Sequence, residues 1–312
     1  MRRMTTVSAH ERPQPLPSGP VSTVIYYLVR AASALLAIIP VQVSYALAGV
    51  LGELYCRVNP GHSRWAAYNY ARVLHEPEES AVVQRMARKS FANYARVLVD
   101  FFRLPHLTRE AVQSSANILG TEHLTRAMAG GKGCILVSAH MGSWDRAAVV
   151  LAGLGYPTTA LVDTFPSAKL DAWVTRTRAR HGMKGISTTS PGALREMYRT
   201  LTRGEALGFL LDHPEPNGVQ VTFFGETAGL PAGVAQVALR TGAPVLVAGM
   251  FRAPGNRTYT GFVEPVPIPP STGDRATDAQ RLTQLIVTRL ERAIVAHPDQ
   301  WFMFRPMWPV QE

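Results

Sequence analysis

Between Gly133 and Ala296, short apolar runs alternate with helix-length segments, and this alternation narrows the fold more than any other feature of the chain. Gly133 to Ser138 (GCILVS), Pro157 to Val162, Ala206 to Leu211, Val219 to Phe224, Pro244 to Phe251 and Thr258 to Val263 read as strands. Each is a brief apolar run bounded by turn residues. His140 to Leu154, Lys169 to His181, Pro191 to Arg203, Pro231 to Thr241 and the amphipathic stretch Ala276 to Ala296 read as helices. Gly182 and Gly242 sit where helices stop, and Pro191 suits a first helical position. Strands alternating with helices predict an α/β fold: a mixed, mostly parallel central sheet flanked by helices. The reactive crevice of such a sheet lies at the carboxyl ends of its strands. His140 and Asp212 each fall just beyond one.

The amino-terminal third is different. Residues 1–20 carry Arg2, Arg3, Arg12 and several prolines, and read as a disordered basic tail. Val24 to Ile39 is strongly apolar but shorter than the ~20 residues of a membrane-spanning helix. Ala46-Leu47-Ala48 mimics a signal-peptide cleavage site, yet the apolar periodicity continues past it through Val50, Leu51 and Leu54. Residues 21–58 are therefore read as an uncleaved, membrane-associating helical hairpin kinked at Pro40. The competing reading is an ordinary buried helix pair. Residues 61–75 and 79–103 read as two more helices, and residues 59–312 form the α/β domain.

Hydrophobic residues make up 46% of the 312 positions and charged residues 17%, too apolar for a disordered chain. The net charge of +10 suits an anionic partner, whether nucleic acid, an anionic lipid surface or a phosphorylated substrate. No helix-turn-helix, zinc-finger or RNA-recognition signature supports a nucleic-acid partner. Two cysteines, Cys56 and Cys134, cannot build a zinc ribbon or a disulfide framework, and read as buried free thiols. No G-x-S-x-G elbow marks a serine hydrolase.

The segment Ser138-Ala139-His140-Met141-Gly142-Ser143-Trp144-Asp145 carries the chemistry. It puts a histidine at a strand end and a carboxylate five residues on, in the first turns of the next helix. Asp145 is expected to fix the tautomer of His140 and stabilise its imidazolium, leaving the other ring nitrogen as a general base. Among nine histidines, His140 alone has a carboxylate at this offset.

SAHMGSWD resembles the His-x4-Asp signature of the lipid A late acyltransferases and phosphatidylinositol mannoside acyltransferases. LLDH at 210–213, GVQVTFFGETAGLPAGVAQVALRTGAPVLVAG at 218–249 and HPDQWFMFRPMW at 297–308 resemble that family in order and spacing. The resemblance covers roughly residues 60–310.

It implies catalytic His140 and Asp145. It also implies an arginine on the helix after the second strand, best matched by Arg178 with Arg176 and Arg180 as competitors, and an acidic residue at a later strand end, Asp212. Asp212 is expected to position Arg178 or the acceptor sugar. Phe224 and Gly225, within Phe223-Phe224-Gly225, are expected to line a donor or acceptor pocket, as is the Pro231-Ala232-Gly233 turn. The implied reaction moves a fatty acyl chain from acyl-CoA or acyl carrier protein to a glycolipid hydroxyl. No metal, cofactor or covalent acyl-enzyme is expected. The implied setting is the cytoplasmic face of the plasma (inner) membrane, held peripherally or monotopically on an anionic surface.

Ser143 replaces the family's usual asparagine, and Val162-Asp163-Thr164 stands where many lipid A enzymes carry Tyr-Arg-Pro. The second difference favours a phosphatidylinositol mannoside-like acceptor over a lipid A precursor. The aromatic run Trp301 to Trp308 suits either a membrane headgroup level or core packing.

Overall fold

The computed structural model describes residues 19–165, 167–255 and 258–310. Most of the expected tail, residues 1–18, lies outside them. Four helices come first: α1 (Pro20–Ile38), α2 (Val41–Val58), α3 (Pro60–Leu74) and α4 (Ala81–Arg103). Then follow α5 (Arg109–Ser114), β1 (Ala116–Leu119), α6 (Thr121–Ala129) and β2 (Cys134–Ser138). The alternating region holds α7 (Trp144–Gly153), β3 (Thr158–Val162), α8 (Ala168–Arg180), β4 (Met183–Ser187), α9 (Ala193–Thr202) and β5 (Ala206–Leu210). A hairpin of β6 (Val219–Phe223) and β7 (Glu226–Leu230) leads to α10 (Gly233–Thr241), β8 (Val245–Arg252), β9 (Tyr259–Val266) and α11 (Arg275–Ala296).

Seven strands form one sheet in the order β1-β9-β8-β2-β5-β3-β4, parallel throughout apart from the β8–β9 pair. The expected α/β class is what the chain adopts. Both faces of the sheet are buried, which is why its central strands read as continuous apolar runs. Ile135, Val137, Leu207, Val245 and Val247 pack with α10 and α11 through Val234, Val237, Leu282 and Ile286. Cys134, Leu136, Ala206 and Leu246 pack on the other side with Leu124 of α6 and Leu151 of α7. Each fully buried Val, Leu or Ile side chain among them contributes about 1.5–3 kcal/mol by leaving water.

β2 and β5 lie side by side, with Ser138 opposite Leu210. One residue on, the Leu211 N–H still donates to the Ser138 carbonyl at 2.9 Å. The register therefore brings His140 and Asp212 level with each other at the carboxyl edge.

The expected kink at Pro40 is a break between two helices, with Pro40 capping α2. α1 starts earlier than its apolar run suggests, because Pro20 suits the first helical turn. Its 19 residues are long and apolar enough to cross a bilayer, and 6% of its most apolar window is buried within the protein. That exposure argues against an ordinary buried helix pair. Along α1 and α2, Leu28, Ile38, Val50, Leu51 and Val58 are each more than 60% exposed.

The inner faces are nonetheless docked. A Cβ on Gly52 would lie 2.4 Å from the Phe91 carbonyl, so α2 can approach α4 this closely only with glycine there. Ser33 Oγ donates to the Phe102 carbonyl, and Arg103 donates to the last carbonyls of α1 at Leu36 and Ile39. The carboxyl-terminal aromatic run belongs to the core: Trp301, Phe302, Met303, Met307 and Trp308 are buried. Cys56 and Cys134 are both buried and free.

Candidate active site

The helix expected from His140 begins at Trp144, so His140 stands in a loop, Ala139 to Ser143, rather than in a first helical turn. Tertiary hydrogen bonds take the loop's backbone groups out of the helix pattern. The Gly142 N–H donates to the Gln300 carbonyl and the Ser143 N–H to the Met250 carbonyl, each at 2.7 Å. The Phe302 N–H donates to the His140 carbonyl at 2.8 Å. Gly142 has φ +58°, and a Cβ there would sit 2.0 Å from the Met250 carbonyl oxygen. Only glycine fits both the conformation and the space.

This loop changes the partner of the histidine. His140 Nδ1 meets Asp212 Oδ1 at 2.8 Å, and the His140 backbone N–H donates to both carboxylate oxygens at 2.8 and 2.9 Å. A carboxylate can only accept, so Nδ1 carries a proton, and in the neutral ring Nε2 is the unprotonated nitrogen. The His140 side chain is 35% exposed and that of Asp212 1%. Burial works against a charged imidazole, but the Asp212 charge and hydrogen bond outweigh it and raise the His140 pKa. Arg305 opposes the rise and Asp163 assists it. Burial likewise resists ionisation of Asp212, yet His140, the Trp301 N–H and the His140 backbone N–H hold its pKa below the usual carboxylate range.

Asp145, expected to orient His140, binds Arg178 instead. Arg178 Nε donates to Oδ1 at 2.7 Å and an Nη to Oδ2 at 3.3 Å. The pair is largely buried, with side chains 14% and 15% exposed. It ties the first turn of α7 to the last turn of α8, where a carboxylate and a guanidinium also complement the two helix dipoles. Arg176 and Arg180 are exposed, so Arg178 is the arginine that the crevice selects. The expected grouping of Asp212 with Arg178 is thus exchanged: each aspartate has the partner foreseen for the other.

Phe224 and Gly225 form the two-residue turn of the β6–β7 hairpin, with φ +50° and +80°. Both values are left-handed, as a type I′ turn requires, and Phe is a costly residue there. The Phe224 N–H donates to the Glu291 carboxylate, and its ring packs 6.2 Å from Trp301. Gly225 is exposed at the tip. The Pro231-Ala232-Gly233 turn opens α10. Sequence reasoning missed Trp301, whose indole N–H donates to Asp212 Oδ2 at 2.8 Å. It also missed Trp144, whose ring lies edge-on to His140 at 5.8 Å, and Phe302, which packs behind Trp144 at 6.1 Å. An open cavity of about 630 Å³ elsewhere, between α3 and the β6–β7 hairpin, is lined by Arg64, Trp65, Tyr68 and Arg72, among others, and holds none of the four polar site residues.

A buried carboxylate, a partly exposed imidazole and an apolar wall meet at the carboxyl edge of a mostly parallel sheet, where α/β proteins of this kind place their reactive crevice. Over residues 19–309 the chain matches the family of bacterial lipid A biosynthesis acyltransferases, and it belongs to that family as an acyltransferase. It is 28% identical to the phosphatidylinositol mannoside acyltransferase of Mycolicibacterium smegmatis over 77% of each chain. It is 29% identical to the enzyme of the same name from Mycobacterium tuberculosis, over 77% of this chain and 75% of that one. The lipid A biosynthesis acyltransferase of Haemophilus influenzae is 24% identical, over 70% of this chain and 67% of its own.

Proposed function

We propose that this acyltransferase moves a fatty acyl chain from a thioester, acyl-CoA or acyl carrier protein, to a hydroxyl of a phosphatidylinositol mannoside-like glycolipid, with a lipid A precursor as the alternative acceptor. The observation that carries the mechanism is the 2.8 Å contact between His140 Nδ1 and Asp212, on a ring still open to the crevice. Nε2 takes the proton of the acceptor hydroxyl as its oxygen attacks the thioester carbonyl carbon. The C–O bond forms, the C–S bond breaks, and the departing thiolate receives the proton from the imidazolium. Asp212 stabilises the imidazolium in between. The role of Asp145 and Arg178 is to hold α7 against α8 and so place the histidine loop. The acceptor choice rests on the names of the relatives in Mycolicibacterium and Mycobacterium, and on Val162-Asp163-Thr164 in place of Tyr-Arg-Pro.

The setting is the cytoplasmic face of the plasma membrane. The exposed apolar sides of α1 and α2 support it, as does the +10 charge, which suits anionic headgroups. The docking of α1 along α4 and α8 through Tyr26, Val29, Phe101 and Trp173 supports a hairpin that dips into one leaflet.

The test is acyl transfer from a long-chain acyl thioester to extracted glycolipid by the purified chain and its His140→Ala variant, read by mass spectrometry of the product. Loss of product with the fold intact is expected. Full retention of activity overturns the mechanism, and an acylated product of another lipid class overturns the acceptor.

A further inference from the structure

The carboxylate behind His140 has a third donor that takes no direct part in the acyl transfer. Asp212 receives the His140 backbone N–H on both oxygens, His140 Nδ1 on Oδ1 and Trp301 Nε1 on Oδ2. The two oxygens thus have separate tasks: Oδ1 serves the imidazole, and Oδ2 is anchored by the indole. Among the described residues no guanidinium or ammonium group is hydrogen-bonded to Asp212.

The indole is itself enclosed on several sides. Trp301 is fully buried, edge-on to Tyr70 at 6.1 Å and to Phe223 at 6.2 Å. Its carbonyl accepts the Tyr70 hydroxyl, and its backbone pairs with Met141 as an isolated bridge. Its chain neighbours grip the histidine loop: the Gln300 carbonyl accepts from Gly142, and the Phe302 N–H donates to His140. One three-residue segment therefore holds both halves of the base.

We infer that Trp301 is a positioning residue for the reaction, a neutral third member of a His140–Asp212–Trp301 relay that aims the carboxylate and sets how strongly it draws on the imidazole. The inference rests on the reading of His140 and Asp212 as the base. The physical reason for an indole is its chemistry. It donates one hydrogen bond, accepts none and does not titrate in the working range. A cation in its place would neutralise the carboxylate, as Arg178 does for Asp145. A donor on Oδ2 withdraws negative charge and keeps Asp212 a weaker base. Without it, more charge falls on Oδ1, the imidazolium is favoured, and neutral His140 appears only at higher pH. Arg305 and Asp163 also act on His140 and His213 lies beside Arg305; none of these, nor the Asp145–Arg178 pair, is altered by a substitution at Trp301.

The experiment is the pH dependence of kcat/KM for acyl transfer, in membranes or micelles, for the parent chain, for Trp301→Phe, and for a chain in which Trp301 is replaced by its benzothiophene isostere. The isostere keeps the ring volume and deletes only the N–H, so it decides the matter if Trp301→Phe does not fold. The acid limb is expected to move up by about 0.5–1 pH unit in both, as loss of a donor to a charged group warrants. Ring-nitrogen NMR of His140 is expected to show the same shift without reference to turnover. An isostere that titrates like the parent overturns the inference, because a purely structural tryptophan lowers activity without moving the limb. His140→Ala and Asp212→Asn separate the two readings. If they retain activity, the base assignment fails. If they lose it while the isostere leaves the limb in place, only the role of Trp301 fails.

Discussion

Asp212 is buried and Asp145 largely so, both beside the same crevice, and they are held in opposite ways. Asp145 is clamped by a guanidinium through two hydrogen bonds. Asp212 is held by a backbone N–H, an imidazole and an indole. The first arrangement neutralises the carboxylate on the spot. The second leaves its charge to act on the one partner that can take up a proton. Two carboxylates of the same type thus differ in what they can do, because only the pair without a permanent cation can support a base. A third, Asp100, sharpens the contrast. It is 3% exposed and bound by Arg252 at 2.7 Å, with Tyr45 and Tyr259 on its other oxygen. That cluster joins α2 and α4 to the ends of β8 and β9, and is structural.

The comparison breaks first, if it breaks, at the base itself. His140→Ala is expected to lower kcat by ~10²–10⁴-fold, the usual worth of a general base. Asp212→Asn is expected to fall in the same range, because an amide no longer stabilises the imidazolium. Thermal melting with both proteins folded is the necessary control. Asp212→Asn at parental activity would erase the distinction between the two aspartates.

Asp100→Ala tests the structural extreme. It strands a buried Arg252, and a loss of about 3–5 kcal/mol in unfolding free energy is expected. Denaturant titration measures it. Asp145→Asn should sit between the two. It removes the charge beneath a largely buried Arg178, so stability is expected to fall by roughly 1–3 kcal/mol and activity to fall with it. The acid limb of kcat/KM should stay where it is in the parent. A shifted limb would mean that Asp145 does act on the histidine.

The smallest effect is in stability against pH. The His140 pKa is raised by folding, so its contribution is complete below the ordinary histidine value of about 6.5 and fades as pH rises through the higher folded value. The Asp212 pKa is lowered, so its contribution is complete above about 3.9 and fades as pH falls through the lower folded value. The pair therefore stabilises most between about pH 4 and 6.5. The difference in melting temperature between the parent and Asp212→Asn is expected to be largest in that window and smaller at pH 9.

The central strands were legible because each is an apolar run buried on both faces, as in β2, where Cys134 to Val137 are all buried. β1, β4 and β7 were not, because they are partly exposed and carry polar or small residues in place of a continuous apolar run. Lys184-Gly185 in β4 and Thr227 in β7 give no apolar signal, and a neighbouring strand or hairpin partner decides them. The early start of α1 was hidden by the polar Ser22 and Thr23 ahead of its apolar run.

For the site, sequence alone determined the α/β class and the placing of His140 and Asp212 at strand ends; the arginine came from the family resemblance, which left Arg176, Arg178 and Arg180 in competition until the Asp145 contact chose Arg178. The first two are local facts: residue type, apolar pattern and distance along the chain. Which carboxylate meets which cation was decided by the tertiary structure. Five residues separate His140 from Asp145 and 72 separate it from Asp212, so proximity in sequence favoured the wrong pair. The parallel register of β2 with β5 brings the distant aspartate level with the histidine. Hydrogen bonds donated by Gly142 and Ser143 to the Gln300 and Met250 carbonyls keep this loop out of the helix. No local pattern encodes either, because both are made by backbone groups that lie far apart until the sheet forms.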